Sequence, residues 1–396
     1  MLGANQLLSQ GVSANSNKAT CKMRILRVVH RLYPPKVGGL SYYAHLLSAA
    51  QARDGHQVII FTTREGNYPE HEFRDGYEIY RDRALGWPWE NPITIGVLGR
   101  LLSRSDRTFD ILAAHSHLMF TTNLAAFKRH LSKNPLVITN HGFRVKRSMT
   151  INFAQDIYLS NLGRSTLRAA DYVVSFTGSE RRKTIAAGVR ADKAIVIPNG
   201  VDTKLFRPQP TEPVPNSIFW AGRFVPEKGL TYLLEAAKIV TTRFSNARFI
   251  LVGYGEGLSK LLALIHQMKL ERNVIILGLK SPDEIAAWLN KCTLFVLPSL
   301  SEGFPSSVLE AMACGKPVLV TSGIGLEEVV GDAGLYAHPG DSRGLAEAIQ
   351  TILVDNDLAR DLGRRGRRRA SQHYDWHRVV SAINGLYLRA LEEKRG

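Results

Sequence analysis

Short apolar runs alternate with stretches of helical periodicity along most of the chain. Residues 23–30, Met-Arg-Ile-Leu-Arg-Val-Val-His, predict a buried first strand, and a loop rich in proline and glycine follows it. Apolar positions then recur at helical spacing through residues 41–53, and Gly55 marks the end of the predicted helix. A second strand is predicted at residues 58–62. Because a strand, a loop, a helix and a strand follow in this order, the pattern indicates the beginning of a doubly wound α/β domain.

The same pattern restarts after residues 207–215, a segment that contains four prolines. Such a composition is typical of a linker, so we expect two α/β domains of similar size with a cleft between them. The pattern is less regular over residues 64–110, where only a strand around Ile79 is predicted. The predicted organisation is a disordered extension at 1–22, an N-terminal domain at 23–206, the linker at 207–216, a C-terminal domain at 217–374 and a terminal segment at 375–396.

Three histidines lie where predicted strands of the first half end. His115 and His117 follow one apolar run, and His141 follows the next. The ligand crevice of an open α/β sheet lies at the carboxyl ends of its strands. A single histidine there is more commonly a packing or hydrogen-bonding residue, but several of them favour a binding site. Gly38 and Gly39, in the first strand-to-helix turn, would let backbone N–H groups approach a ligand, although glycine pairs are common in turns.

The stretch at residues 299–317 carries two acidic residues around a predicted helix. The helix is predicted to begin near Pro305 and to end before Gly315. Glu302 precedes it in a loop, and Glu310 lies about one turn into it. The unpaired N–H groups of the helix N-terminus lie between them, which would suit a sugar attached to a phosphate. Strand-loop-helix units with two solvated glutamates are equally common, so this stretch alone leaves both interpretations open.

Two cations, Arg223 and Lys228, lie five residues apart on a loop bounded by Gly222 and Gly229. A guanidinium and an ammonium at one strand end can hold a diphosphate and stabilise it as a leaving group. The alternative is a pair of exposed charges on an ordinary loop.

Composition narrows the class of protein. The chain has 396 residues, of which 44% are hydrophobic and 22% are charged, as in ordinary soluble globular proteins. No apolar run approaches the ~20 residues that span a bilayer. Three cysteines are too few for a disulfide framework or a metal site, so we expect a cytoplasmic protein.

The net charge of +16 is unevenly distributed. Residues 1–205 contain 28 Lys and Arg against 15 Asp and Glu, whereas residues 206–396 contain 23 against 20. A basic half attracts an anionic partner, so we expect peripheral contact with an acidic membrane surface, at the inner face of the plasma membrane. Short basic clusters are individually more often solvated faces, and no nucleic acid partner is expected.

Taken together, these motifs resemble those of the retaining glycosyltransferases of family 4. The resemblance covers about residues 23–390 and implies the GT-B fold, in which two Rossmann-like, doubly wound parallel-sheet domains face a central cleft. It also implies that the last helix, after Trp376, crosses back to the N-terminal domain. The matching residues are Gly38-Gly39, Thr139-Asn-His141-Gly, Pro198-Asn-Gly-Val-Asp202, Gly222-Arg223 with Lys228-Gly229, and Pro298-Ser299…Glu302-Gly-Phe-Pro…Glu310-Ala-Met-Ala…Gly315-Lys-Pro-Val318.

The resemblance assigns individual residues to the donor, the reaction centre and the acceptor. The donor-binding residues would be Gly38, Gly39, Arg223, Lys228, Leu279, Glu302, Gly303, Phe304, Pro305 and Glu310. The catalytic residues would be His141, Glu302, Arg223 and Lys228. Acceptor contacts are expected from His115, His117, Arg144 and Lys146.

Within this set, Arg223 and Lys228 would bind the donor diphosphate. Glu302 would hold sugar hydroxyls, Glu310 would bind the ribose, and Leu279 would lie near the base. The activity implied is transfer of a sugar from a nucleotide diphosphate sugar to an acceptor hydroxyl, on a glycan or a lipid-linked precursor, with retention of anomeric configuration. A donor phosphate oxygen would take the acceptor proton, so no protein nucleophile, metal or other cofactor is expected.

Two positions depart from the family pattern. Ala113 stands where the family often has the first histidine of a His-x-His pair, and Glu327 stands where it often has proline. Both departures concern the binding of the acceptor or of the donor's nucleobase rather than the residues that bind the diphosphate. The alternatives to a transferase are a non-catalytic nucleotide-sugar-binding protein of the same fold and a GT-B epimerase.

Overall fold

The computed structural model describes residues 22–34, 38–88, 91–142 and 157–395. The chain divides into two compact units, of which the first comprises residues 1–198 with 379–396 and the second residues 199–378. The predicted acceptor residues Arg144 and Lys146, and nearly all of the predicted extension at 1–22, lie outside the described residues.

The first unit is built on an eight-stranded sheet with the order β3-β4-β2-β1-β5-β6-β7-β8. Every neighbouring pair is parallel except β3 and β4. The apolar runs that predict strands form the centre of this sheet, because parallel strands are buried on both faces. The strands are β1 (Arg24–Val28), β2 (Gln57–Thr63), β3 (His71–Arg74), β4 (Tyr77–Asp82), β5 (Ile111–His115), β6 (Leu136–Thr139), β7 (Tyr172–Ser175) and β8 (Ala194–Val196).

Helices cover the strands of the first unit. Val97 and Leu101 of the second helix and Leu124 of the third are buried against strands β1, β2, β5 and β6. Along the chain these helices are α1 (Gly39–Arg53), α2 (Gly96–Ser103), α3 (Phe120–His130), a π-helical turn (Leu159–Gly163) that continues into α4 (Arg164–Ala169), and α5 (Gly178–Ala186).

The irregular region at residues 64–110 contains an antiparallel hairpin, β3–β4, and the helix α2. The strand predicted around Ile79 is β4, but its partner β3 was not predicted. Asp75 and Gly76 make the turn with φ of 51° and 86°. A two-residue Asp-Gly loop with both φ positive is a preferred hairpin turn, and this dipeptide is the signal that could have identified the hairpin.

The second unit has a six-stranded parallel sheet with the order β11-β10-β9-β12-β13-β14. The strands are β9 (Ser217–Arg223), β10 (Arg248–Tyr254), β11 (Val274–Gly278), β12 (Leu294–Leu297), β13 (Val318–Thr321) and β14 (Gly334–Ala337). The helices are α6 (Leu230–Arg243), α7 (Leu258–Gln267), α8 (Pro282–Lys291), α9 (Ser306–Ala313), α10 (Glu327–Val330), α11 (Ser342–Val354) and α12 (Asn356–His373). The predicted doubly wound α/β architecture is therefore confirmed.

The proline-rich segment predicted as a linker packs with the second unit. The N–H of Gln209 donates to Asn290 Oδ1 at 2.9 Å, and the N–H of Val214 donates to the Lys291 carbonyl at 2.9 Å. The division between the units falls earlier, after Pro198.

The last helix, α13 (Trp376–Arg395), joins the first unit from residue 379 onward. Gln51 on α1 donates to Asn384 Oδ1 at 2.7 Å, and the Tyr172 hydroxyl on β7 donates to Glu393 at 2.5 Å. No helix among the described residues is both long enough and apolar enough to cross a bilayer.

Candidate active site

The second unit has its topological switch point between β9 and β12. From β9 the chain proceeds outward to β10 and β11 and then returns to form β12 on the other side of β9. In an open α/β sheet the ligand crevice lies at the carboxyl ends of the strands at such a point. Arg223 ends β9, Lys228 follows it, and Glu302 follows β12, so the neighbouring strands bring these residues to the same edge of the sheet.

The loop after β9 is packed directly against the end of β12. Gly229 has φ of 66°, and a Cβ at this position would lie 1.9 Å from the carbonyl oxygen of Pro298. Only glycine permits this approach and this backbone conformation. The N–H of Leu300 donates to the Glu227 carbonyl at 2.8 Å and joins the two loops a second time. The position of Lys228 is thereby set by backbone contacts on both sides.

Lys228 and Glu302 form an ion pair at this junction. Lys228 Nζ lies 2.6 Å from Glu302 Oε1, and the Ser299 hydroxyl donates to the same oxygen at 2.6 Å. The exposed fractions of the Lys228 and Glu302 side chains are only 18% and 7%. Oε2 of Glu302 accepts no hydrogen bond from a described residue. The carboxylate is therefore fixed through one oxygen, and the other remains an available acceptor. Ser299 received no role in the sequence analysis, although its place three residues before Glu302 was visible.

The helix α9 begins directly after this carboxylate. Pro305 is its N-cap residue, and no side chain caps the first turn. Uncapped N–H groups at a helix N-terminus bind anions such as phosphate. Gly303 is exposed, and Phe304 is half-buried with its ring centroid 6.2 Å from that of Tyr374. The predicted helix is confirmed, with its end at Ala313 before Gly315.

Glu310 is half-buried on α9, and burial raises the pKa of its carboxyl to about 7, while a hydrogen bond with Ser306 partly opposes the shift. Near neutral pH this group is consequently present in both protonation states. A carboxyl group in this condition can donate to one hydroxyl and accept from another.

Arg223 and Leu279 are both exposed at strand ends of the same sheet. Arg223 is the last residue of β9, and Leu279 follows β11 with 55% of its surface exposed. Gly278, just before Leu279, has φ of 69°. These positions are open to a ligand, and the roles predicted for them stay predictions.

In the first unit the ends of β5 and β6 carry uncharged, mostly buried groups. His115 Nδ1 lies 3.2 Å from His141 Nε2, and His117 Nδ1 lies 2.9 Å from Asn140 Oδ1. Burial lowers the pKa of His115 well below its usual value, that of His117 to about 4 and that of His141 to about 3. The ring of His141 also packs edge-on against Tyr43, with the centroids 5.1 Å apart. At neutral pH these imidazoles are neutral.

This burial bears on the predicted acceptor contacts. His115 and His117 are 1% and 0% exposed, so neither side chain offers a surface to an acceptor in this structure. Their hydrogen bonds instead orient His141 and Asn140. Gly38 has an extended φ of 171°, and a Cβ on Gly38 or Gly39 would meet no heavy atom within 4 Å. The turn thus leaves open space beside its backbone.

Two family models match consecutive parts of the chain. The model described as Glycosyltransferase Family 4 matches residues 37–205, and the model described as Glycosyl transferases group 1 matches residues 202–369. The chain is 24% identical over 387 residues to an uncharacterized glycosyltransferase of Methanocaldococcus jannaschii, covering 91% of this chain and 97% of that one. It is 27% identical over 405 residues to a glycogen synthase of Mycobacterium tuberculosis, covering 94% and 96%.

Solved structures share the fold. A sucrose-phosphate synthase from Thermosynechococcus elongatus superposes with a TM-score of 0.75 at 21% identity, covering 93% of this chain and 100% of that one. The Anabaena protein HepE in complex with UDP-glucose gives a TM-score of 0.74 at 22% identity, covering 94% and 100%. The chain belongs to the group 1, family 4 glycosyltransferases and has the GT-B fold.

Proposed function

We propose that this glycosyltransferase is a retaining hexosyltransferase that uses a nucleoside diphosphate sugar. The observation that carries the proposal is the Lys228–Glu302 pair beside the uncapped N-terminus of α9. Together they offer a cation and backbone N–H groups for a diphosphate, and a fixed carboxylate for sugar hydroxyls. A solved relative of the same fold was crystallised with UDP-glucose, which makes this compound the first donor to test.

In the proposed donor complex, Glu302 accepts hydrogen bonds from sugar hydroxyls through Oε2, because Oε1 already accepts from Lys228 and Ser299. Lys228, Arg223 and the first N–H groups of α9 bind the diphosphate. Glu310, with its pKa of about 7, exchanges hydrogen bonds with the two ribose hydroxyls.

The reaction breaks the bond between the anomeric carbon and the phosphate oxygen and forms one between that carbon and the acceptor oxygen. The acceptor proton passes to the departing phosphate oxygen, so both events occur on the same face of the sugar and the configuration is retained. Positive charge at the diphosphate stabilises the leaving group as its charge develops. No protein nucleophile is required, and the role of His141 at the reaction centre stays a prediction.

The acceptor is proposed to be a glycan or a lipid-linked precursor, and we further propose contact with an acidic membrane surface. The positive charge of the first half supports this contact.

The experiment begins with a screen of nucleotide sugars for thermal stabilisation of the purified protein, because a ligand that binds only the folded state raises the melting temperature. Donors that stabilise the protein are then incubated with it, and the anomeric configuration of the first product, including the hydrolysis product, is read by proton NMR. Product of the same configuration as the donor supports the proposal. Inverted product, or binding of a donor without any turnover in the presence of a range of glycan and lipid-linked acceptors, contradicts it.

A further inference from the structure

One surface of the first unit combines exposed apolar side chains with closely spaced cations. It is formed by α2, α3 and the π-helical turn with α4, which pack side by side. We call it the basic helical face and define it as residues 95–109, 119–134 and 157–170. Large apolar side chains point outward from it, including Phe127 with 50% and Leu131 with 60% of its surface exposed. Soluble surfaces seldom gather such side chains unless they bind something.

The charge of this face is strongly one-sided. Its three segments contain eight Lys and Arg residues and one acidic residue, Asp106. That carboxylate is engaged locally, because it accepts from the Ser132 hydroxyl at 2.6 Å and from the N–H of Lys133 at 2.8 Å. Two of its cations pair with acidic residues outside these segments, Arg100 with Asp82 at 2.8 Å and Arg129 with Asp171 at 2.7 Å, and Lys128 is buried. The exposed positive charge of the face is therefore carried by Arg107, Lys133, Arg164 and Arg168.

A groove of about 410 Å³ opens on the same face, between the end of α3 and α4. Its polar lining supplies an imidazole, two guanidinium groups, two hydroxyls and an amide. Arg164 and Arg168 form no ion pair with a described residue, and the guanidinium of Arg168 lies against Gly188. The polar residues that line the groove are His130, Ser160, Asn161, Arg164, Ser165 and Arg168.

The groove and its surroundings match one ligand chemistry. Guanidinium pairs with hydroxyl neighbours bind phosphate oxygens. Phe127 lies on α3, Leu131 directly follows the last residue of that helix, His130, and the exposed Leu162 follows Asn161. A phosphate group seated in the groove would therefore have exposed apolar side chains beside it. Acidic phospholipid bilayers present that combination, with charged phosphates above an apolar layer.

We propose that the basic helical face docks on a membrane rich in acidic phospholipid, with a lipid headgroup phosphate bound in the groove between Arg164 and Arg168. This inference specifies the membrane contact proposed above and is independent of the transfer reaction. The donor-site residues Arg223, Lys228, Glu302 and Glu310 belong to the second unit and take no part in it.

The test is flotation of the full chain with vesicles of phosphatidylcholine alone or mixed with phosphatidylglycerol. Only the mixed vesicles should bind the protein, and added salt should weaken binding. The double variant Arg164→Ala/Arg168→Ala should bind about 25-fold more weakly at low salt, since each cation near an anionic surface contributes roughly a fivefold factor. The matched control is Lys238→Ala/Arg243→Ala, which removes the same charge from exposed positions of α6. This control should bind as the wild type does.

A second pair of variants tests the apolar contribution. Phe127→Ala/Leu131→Ala should weaken binding about tenfold at high salt, where attraction between charges is screened. Leu258→Ala/Leu262→Ala on α7 is the control, since both side chains are exposed there. Donor-induced thermal stabilisation, measured on every variant, reports folding and the donor site separately from lipid binding.

Three outcomes would overturn the proposal. The arginine variant could bind acidic vesicles as the wild type does, or the α6 control could lose as much affinity, which would indicate an effect of net charge alone. Inorganic phosphate could also bind the protein in an Arg164-dependent way while vesicles do not, which would make the groove a site for free phosphate. Absence of sugar transfer would contradict the proposed function and leave these lipid results unaffected.

Discussion

The two units place different chemistry at the carboxyl ends of similar parallel sheets. In the second unit the strand ends carry an ion pair, Lys228 with Glu302, and a helix N-terminus without a side-chain cap. In the first unit the ends of β5 and β6 carry neutral imidazoles that hydrogen-bond to each other and to an amide, and an ion pair of that sheet, Arg31 with Glu65, lies at the ends of β1 and β2. The second unit is thus equipped to bind a charged ligand, whereas this edge of the first unit resembles a buried polar network.

The difference follows from what each loop contains. Glycine at position 229 lets one loop of the second unit approach the next strand closely, and the Lys228 and Glu302 side chains there remain 18% and 7% exposed. In the first unit His115 and His117 stand directly at the strand end, under Tyr43 and other side chains, where water is excluded. A doubly wound sheet offers a site at its switch point, and the loop residues decide whether that site holds charge.

The largest expected effect is loss of transfer when either member of the ion pair is removed. Lys228→Ala should lower the rate on the order of a thousandfold, because a cation that stabilises the leaving diphosphate is removed. Glu302→Ala should have a similar effect, through lost sugar contacts and an unpaired Lys228. Steady-state transfer with the donor found by the screen is the measurement.

Lys238→Ala and Glu347→Ala are the matched controls, since both residues are exposed on helices of the same unit. They should transfer at the wild-type rate. Retention of full activity by Lys228→Ala would remove the functional distinction between the two sheet edges.

The elements of this fold were predictable where burial imposes a simple pattern. Central strands such as β6 and β12 read as nearly continuous apolar runs because both of their faces are covered. The hairpin β3–β4 was not predicted, because β3 lies at the sheet edge and its exposed and half-buried residues alternate. Such a strand gives no continuous apolar signal, and its turn dipeptide was the only clear local mark.

The site was predictable only in part. Lys228 and Glu302 are 74 residues apart in sequence, and they meet because β9 and β12 are neighbours in the sheet. No local pattern in the sequence shows which strands are neighbours. The prediction that Lys228 and Glu302 share one site therefore came from the resemblance to a family. The burial of His115 and His117 was not predictable, because the sequence around a histidine at a strand end does not show whether other side chains cover it.

A second prediction concerns the close approach that builds the charged site. Gly229→Ala should destabilise the second unit by about 3 kcal/mol, because its Cβ would collide with the Pro298 carbonyl in a backbone conformation that alanine disfavours. Chemical denaturation followed by the fluorescence of buried Trp220 measures this change. Gly385→Ala is the control, since a Cβ there meets no heavy atom within 4 Å. Equal stability of the two variants would show that the loops tolerate separation.

A third prediction is that lowering the pH decreases the stability of the first unit and increases that of the second. The lowered pKa values of His117, about 4, and His141, about 3, provide stability above pH 6.5 that is lost as the pH falls toward those values. At pH 5 the loss is about 2 kcal/mol for each group. The pKa of Glu310 is raised to about 7, so its contribution is present below pH 4.5 and is lost as the pH rises through 7. Moving from pH 8 to pH 5 should therefore raise the contribution of Glu310 to the stability of the second unit by about 2 kcal/mol. Burial lowers the pKa of His373 in the same unit, which opposes part of this gain.

Amide hydrogen exchange resolves the two units in one experiment. Protection of β5 and β6 should decrease at pH 5 relative to pH 8, after correction for intrinsic exchange rates, while protection of β12 and α9 should increase. Glu310→Gln should abolish the increase and leave the first unit unchanged. A parallel change in both units would contradict the contrast between neutral and charged strand ends.

The smallest effect is expected from a change at Ser299. This change tests whether the orientation of the Glu302 carboxylate matters as well as its charge. Its hydroxyl is buried and donates to Glu302 Oε1 at 2.6 Å, beside Lys228. Ser299→Ala removes this donor but keeps the ion pair, so Glu302 should lose orientation rather than charge.

Loss of one hydrogen bond to a charged group costs about 1.5 kcal/mol, which corresponds to roughly a tenfold lower rate. Because the hydrogen bond positions the carboxylate for the reacting sugar, the change should appear in kcat more than in KM for the donor. Ser307→Ala, at the second residue of α9, is the control. An unchanged kcat in Ser299→Ala would mean that Lys228 alone orients Glu302.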